Sequence, residues 1–137
     1  MRTRLPRRPF TAAALAVASA TLWPALSARA DEAVVEIAWG DGGRYARSLN
    51  IAPGKFAELC GALAAGTSVP WRFEADQPLD FNIHFHLDKD VRYPARADQV
   101  RRADGTLAAD AAQAYCWMWT NKSAAVANVK VALERRP

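Results

Sequence analysis

The sequence is short of the residues that do chemistry. It holds two histidines and two cysteines in 137 residues. No serine sits in a strained G-x-S-x-G turn, no carboxylate pair stands out for acid–base work, and no glycine-rich loop is built to cradle a phosphate. Nucleophilic catalysis needs a Ser or Cys with a His and an orienting carboxylate, and that set is not assembled here. An enzyme is therefore not expected, and a small metal-dependent one is the least favoured class. A basic surface is also missing. Of 18 basic residues, Arg2, Arg4, Arg7, Arg8 and Arg29 lie in the first thirty positions, so the remainder is close to neutral and nothing argues for nucleic acid.

Those first thirty residues read as an export signal. They open on a basic head with Arg7 and Arg8 adjacent, continue in an Ala-rich uncharged stretch from Phe10 to Leu26, and end in A-R-A at 28–30. The Arg-Arg pair followed by Phe10 resembles the twin-arginine type, although Thr11 and Ala12 depart from its usual Leu-Lys. The stretch is short and contains Pro24, so it does not read as a span, and no membrane span is expected in the exported chain. Residues 31–137 then form one small domain, periplasmic or secreted.

Cys60 and Cys116 are an even pair in a small exported domain, which reads as a disulfide. Closing a loop of roughly 57 residues would add about 4 kcal/mol on the chain-entropy model. The alternative is two free thiols, one of them a metal ligand.

Short strands separated by turn residues run along residues 33–39, 44–51, 69–75, 79–87, 114–120 and 126–134. G-D-G-G at 40–43 reads as a hairpin turn, D-Q-P at 76–78 and D-K-D at 88–90 as further turns. Residues 55–65 are open between helix and strand. Residues 95–113 are polar and Ala-rich and read as a loop with a brief strand near Thr106. The expected fold is all-β, an antiparallel two-sheet sandwich. Alternation puts Phe81, Ile83, Phe85 and Leu87 on the core side, with Asn82, His84, His86 and Asp88 opposite. Tyr115, Trp117 and Trp119 likewise point inward, which sends Cys116 and Met118 outward. Trp39 and Trp71 are candidates for core packing or for a ligand groove.

Residues 49–133 resemble the GOLD domain, the luminal sandwich of p24 cargo proteins. The likeness runs through L-N-I-A-P-G (49–54), Cys60, G-T-S-V-P-W-R-F (66–73), the alternating strand 79–87, Y-C-W-M-W-T-N (115–121) and V-K-V-A-L (129–133). It implies a recognition module that binds a protein or small ligand, and a bond between Cys60 and Cys116. Cys116 falls two residues earlier than that family's cysteine, where Met118 stands.

Both histidines share one strand face at His-x-His spacing. His84 and His86, with Met118, form a candidate site for copper or zinc. The order C-W-M, with no histidine between Cys116 and Met118, excludes the usual blue-copper arrangement. Two functions follow as expectations: a non-catalytic recognition module, or a copper or zinc carrier using these three residues.

Overall fold

The computed structural model describes residues 33–137. The export signal with its twin-arginine pair, and Asp31 and Glu32, lie outside the described residues. Among the described residues seven strands follow in chain order: β1 (Ala33–Glu36), β2 (Arg44–Ile51), β3 (Phe56–Leu63), β4 (Ser68–Leu87), β5 (Asp90–Ala108), β6 (Gln113–Thr120) and β7 (Ala127–Glu134). They hydrogen-bond in the order β1-β3-β6-β4-β7-β2, with β5 on β4. The all-β fold is as expected, and residues 56–63 resolve to a strand. All pairings among these strands are antiparallel except β1 with β3, which run parallel.

The long hairpin β4–β5 organises the molecule. One edge of β4 is lined by β5 at both ends. The other edge is shared: Trp71–Ala75 pair with β7, and Asp80–His84 pair with β6. The register shifts between Glu74 and Leu79, so the strand turns a corner there and brings the two parts of the sheet face to face. D-Q-P at 76–78 is this corner and not a chain-reversing turn. Asp76 fixes it by accepting from the backbone N and side-chain Nδ2 of Asn128 at 2.7 and 2.6 Å, while its carbonyl accepts from Arg101 at 2.7 Å. Asp80 accepts from Gln99 N and Nε2 at 3.1 and 2.7 Å and is paired with Lys122.

Alternation then fills the interior. Val69, Phe73, Leu79, Phe81 and Ile83 of β4 are buried, as are Tyr115, Trp117 and Trp119 of β6. Phe73 lies 4.8 Å from Phe81 and 5.6 Å from Trp119, joining the two halves across the core. Burial of such rings dominates the stabilisation of a small core. Asn121, in the link between β6 and β7, is wholly buried. Its Nδ2 donates to Ile51 O at 2.9 Å and Ala125 O at 2.7 Å, and its Oδ1 accepts from Ser123 N and Oγ at 2.9 and 2.7 Å.

Three sequence expectations are corrected. G-D-G-G is a short 3-10 turn whose flanking strands do not pair with each other: β1 joins β3 and β2 joins β7. Gly43, at φ 71°, lies so close to the end of the chain that a Cβ would stand 2.3 Å from Arg135 O. Residues 69–75 and 79–87 are one strand of 20 residues. Most of residues 95–113 belong to β5, not to a loop. Within the described sheet β5 pairs with β4 alone, and its Pro94 and many charges are what an edge strand carries to resist further pairing.

Candidate functional site

Three adjacent strands lay a row of chemistry-bearing side chains on the outer face. Cys60 of β3 is opposite Cys116 of β6, and Cys116 is opposite His84 of β4. In the next row Glu58, Met118 and Asn82 are aligned in the same way. Period-two alternation makes the rows; the β3-β6-β4 order, which no local pattern encodes, brings them together.

Cys60 and Cys116 form a disulfide, with Cα atoms 4.1 Å apart. His84 Nδ1 lies 2.8 Å from Asn82 Oδ1, and its Nε2 lies 3.2 Å from Glu58 Oε1. The same Glu58 oxygen is 3.2 Å from Cys60 Sγ. His84 is buried at 7 % exposure, while His86 is exposed. Burial holds the His84 imidazole below its ordinary value, and the neighbouring His86 adds to this; the Glu58 carboxylate opposes both without reversing the direction. The Tyr93 ring is 5.9 Å from His84 and carries the Arg96 guanidinium 3.6 Å above its centre.

His84, His86 and Met118 thus lie on the common face that strand alternation predicts. The imidazole centroids are 5.5 Å apart with rings nearly perpendicular. They differ in setting, however. His84 is engaged through both nitrogens, His86 is open to solvent, and Met118 is opposite Asn82 rather than His84. Sequence reasoning missed Glu58, which joins His84 from a strand two places away. Its outward parity with Cys60 was the available signal, but the strand itself was undecided.

A second feature is the free end of the β4–β5 hairpin. Leu87 pairs with Asp90 and His86 with Val91, so the turn is only Asp88-Lys89, with Asp88 at φ 53°. Leu87 continues the inward side of β4 but is 40 % exposed, because the hairpin runs past the core. A third is a groove of about 820 Å³ rimmed by charges of both signs, including Arg44, Arg72, Glu74, Arg102 and Asp104. Trp71 lines it. Trp39 instead packs edge-on to Tyr45 at 6.5 Å, beneath Arg135.

The fold has counterparts of known structure. The periplasmic g-type lysozyme inhibitor PliG of Aeromonas hydrophila is 12 % identical, with a TM-score of 0.59, over 75 % of this chain and 96 % of that one. PliG of Salmonella Typhimurium is also 12 % identical, with a TM-score of 0.52, over 74 % and 96 %. The Yersinia pseudotuberculosis-derived mitogen is 9 % identical, with a TM-score of 0.53, over 66 % and 84 %. No family model and no curated protein matches the sequence. At such identities the likeness concerns the fold.

It also corrects the GOLD resemblance. Structural counterparts include PliG proteins and a mitogen, and no family model matches. The motifs behind that resemblance are alternating apolar strands bounded by turns, a pattern that many sandwiches share.

Proposed function

We propose that this protein is a non-catalytic binding module of the periplasm or extracellular space, and that its partner is a protein gripped by the tip of the β4–β5 hairpin. One observation carries the reading. Among the described residues five large apolar side chains are exposed, and three of them are at this tip, Leu87 on its inward face and Val91 and Tyr93 on its outward face. Apolar exposure on both faces of a short, paired turn fits a protein contact that closes around the tip better than a solvated surface. The export signal read from the sequence, the disulfide and the periplasmic setting of the PliG counterparts support the location. PliG proteins are inhibitors of g-type lysozyme, which makes that enzyme the first partner to test.

Binding of the purified protein to g-type lysozyme, followed by titration calorimetry and by loss of lytic activity, tests the proposal. A micromolar or tighter complex is expected, weakened about tenfold or more by Leu87→Asp and by Tyr93→Ala. A complex that both variants form unchanged would remove the tip as the contact. Absence of any complex would remove lysozyme as the partner.

A second reading, copper or zinc carriage through His84, His86 and Met118, is favoured by the two imidazoles sharing one face at 5.5 Å. It needs the disulfide-bonded protein to bind Cu(II) or Zn(II), and His86→Ala to abolish that binding.

A further inference from the structure

The row on the outer face contains more donor atoms than the protein uses as it stands. Glu58, His84 and Cys116 hold ligand atoms within 4.8 Å of one another. Cys60 Sγ adds a fourth, 3.2 Å from the Glu58 oxygen that itself lies 3.2 Å from His84 Nε2. In a tetrahedral zinc site, with bonds of about 2.3 Å to sulfur and about 2.0 Å to nitrogen or oxygen, neighbouring ligand atoms stand roughly 3.3–3.8 Å apart. The oxygen–nitrogen separation, 3.2 Å, is already close to that spacing, and the oxygen–sulfur separation, 3.2 Å, is slightly short of it. What prevents coordination is the bond between the sulfurs, since a disulfide sulfur is a poor ligand and a thiolate a strong one.

We propose that the Cys60–Cys116 disulfide caps a latent site for zinc or a similar borderline-soft divalent ion, built from both cysteines with His84 and Glu58, and opened by a dithiol reductant. The reductant transfers two electrons and two protons: the Cys60–Cys116 bond breaks to give two thiols, and the reductant's own two sulfurs become a disulfide. Binding of the zinc ion then displaces the two thiol protons, and the sulfurs move apart to the ligand spacing. His84 Nε2 and one Glu58 oxygen complete the set, exchanging their contact with each other for the metal.

The setting favours this set. Glu58 and His84 side chains are 13 % and 9 % exposed, so the donors are already partly dehydrated and held in place. Asn82 lies 2.8 Å from His84 Nδ1 and orients the ring with Nε2 toward the other donors, the support that metal-bound histidines characteristically have. The site differs from the His84, His86 and Met118 reading in its ligands and in its dependence on reduction. It does not rest on the protein-binding tip.

Zinc(II) and cobalt(II) titration of the full exported protein, oxidised and after treatment with a dithiol that is then removed anaerobically, tests the proposal. The reduced protein should bind one zinc ion at least about 100-fold more tightly than the oxidised protein. Its cobalt complex should show thiolate-to-cobalt charge-transfer absorption with the intense visible bands of tetrahedral cobalt. Glu58→Gln, which keeps shape and polarity, should weaken reduced-state binding about tenfold, and Cys116→Ser more than that. His86→Ala should leave it unchanged. Circular dichroism of the reduced protein without metal monitors the fold, and Glu58→Gln keeps its disulfide until reduced, so a folding defect in the serine variant does not obscure the result. Equal affinity in the two redox states, or a cobalt complex without thiolate absorption, overturns the inference.

Discussion

Asn121→Ala should be among the most damaging single changes to a polar residue in this protein. Asn121 is completely buried and makes four hydrogen bonds, to Ile51 O, Ala125 O, Ser123 N and Ser123 Oγ. It ties the end of β2 to the link between β6 and β7, so its loss loosens two strands that pair with others. A typical internal hydrogen bond is worth about 1 kcal/mol net, and a buried acceptor left without a partner costs a further ~1–3 kcal/mol. Ser123 Oγ also bonds Ala125 O at 3.0 Å near the surface and re-pairs with water. Three bonds then count, and the expected loss is roughly 3 kcal/mol. For a slope near 1.5 kcal/mol/M, that moves the urea midpoint down by about 2 M. Asn121→Asp sharpens the reasoning. It retains the acceptor for Ser123 but turns an oxygen toward two carbonyl oxygens. At neutral pH it should be at least as destabilising as alanine, and it should recover in acid as the carboxyl takes up a proton and donates it. Urea unfolding by tryptophan fluorescence at pH 7 and pH 4 measures both. A midpoint shift below about 0.5 M for Asn121→Ala, or an aspartate variant that does not recover in acid, refutes the assignment.

Two other predictions concern the corner and the first turn. The hydrogen bond from Lys122, then that from Gln99, hold the Asp80 carboxyl below its ordinary value of 3.8. Its stabilisation is therefore complete above that value and is lost as pH falls through the lower folded-state value. In Asp80→Asn the urea midpoint should be lower at neutral pH and should decline less below pH ~4; a decline parallel to the parent's would exclude the role. Gly43→Ala should cost roughly 3 kcal/mol, since a Cβ would meet Arg135 O at 2.3 Å, whereas Gly42→Ala, with φ 66° and open space, should cost about 1 kcal/mol. Equal thermal shifts in the two variants would contradict this.

The strands legible in the sequence are those that bury one face. Residues 79–87 and 114–120 alternate large apolar with polar side chains, and the structure keeps that sorting through Trp117, Trp119, Phe81 and Ile83. Of β5 only a brief strand near Thr106 was legible, because it is an edge strand. Its charges and Pro94 carry no apolar alternation, and its pairing comes from the neighbour it lies beside. Residues 55–65 stayed undecided for a related reason: between Pro53-Gly54 and Gly66 the run K-F-A-E-L-C-G-A-L-A-A mixes helix-forming Ala, Glu and Leu with short alternation, and pairing with β6 and β1 decides its period.

By itself the chain determined its all-β character, the inward faces of two strands, the common face of His84 and His86, and a cysteine pair that could meet. These follow from the two-residue period of an extended backbone, a covalent property that acts over a few residues. The tertiary structure decided the rest: that β4 passes its corner unbroken, that Glu58 meets His84 across β6, that His84 is buried while His86 is not, and that Leu87 outruns the core. Each depends on which strand edges join and in what register, and those choices are made by contacts between residues far apart in sequence, where no local pattern reaches.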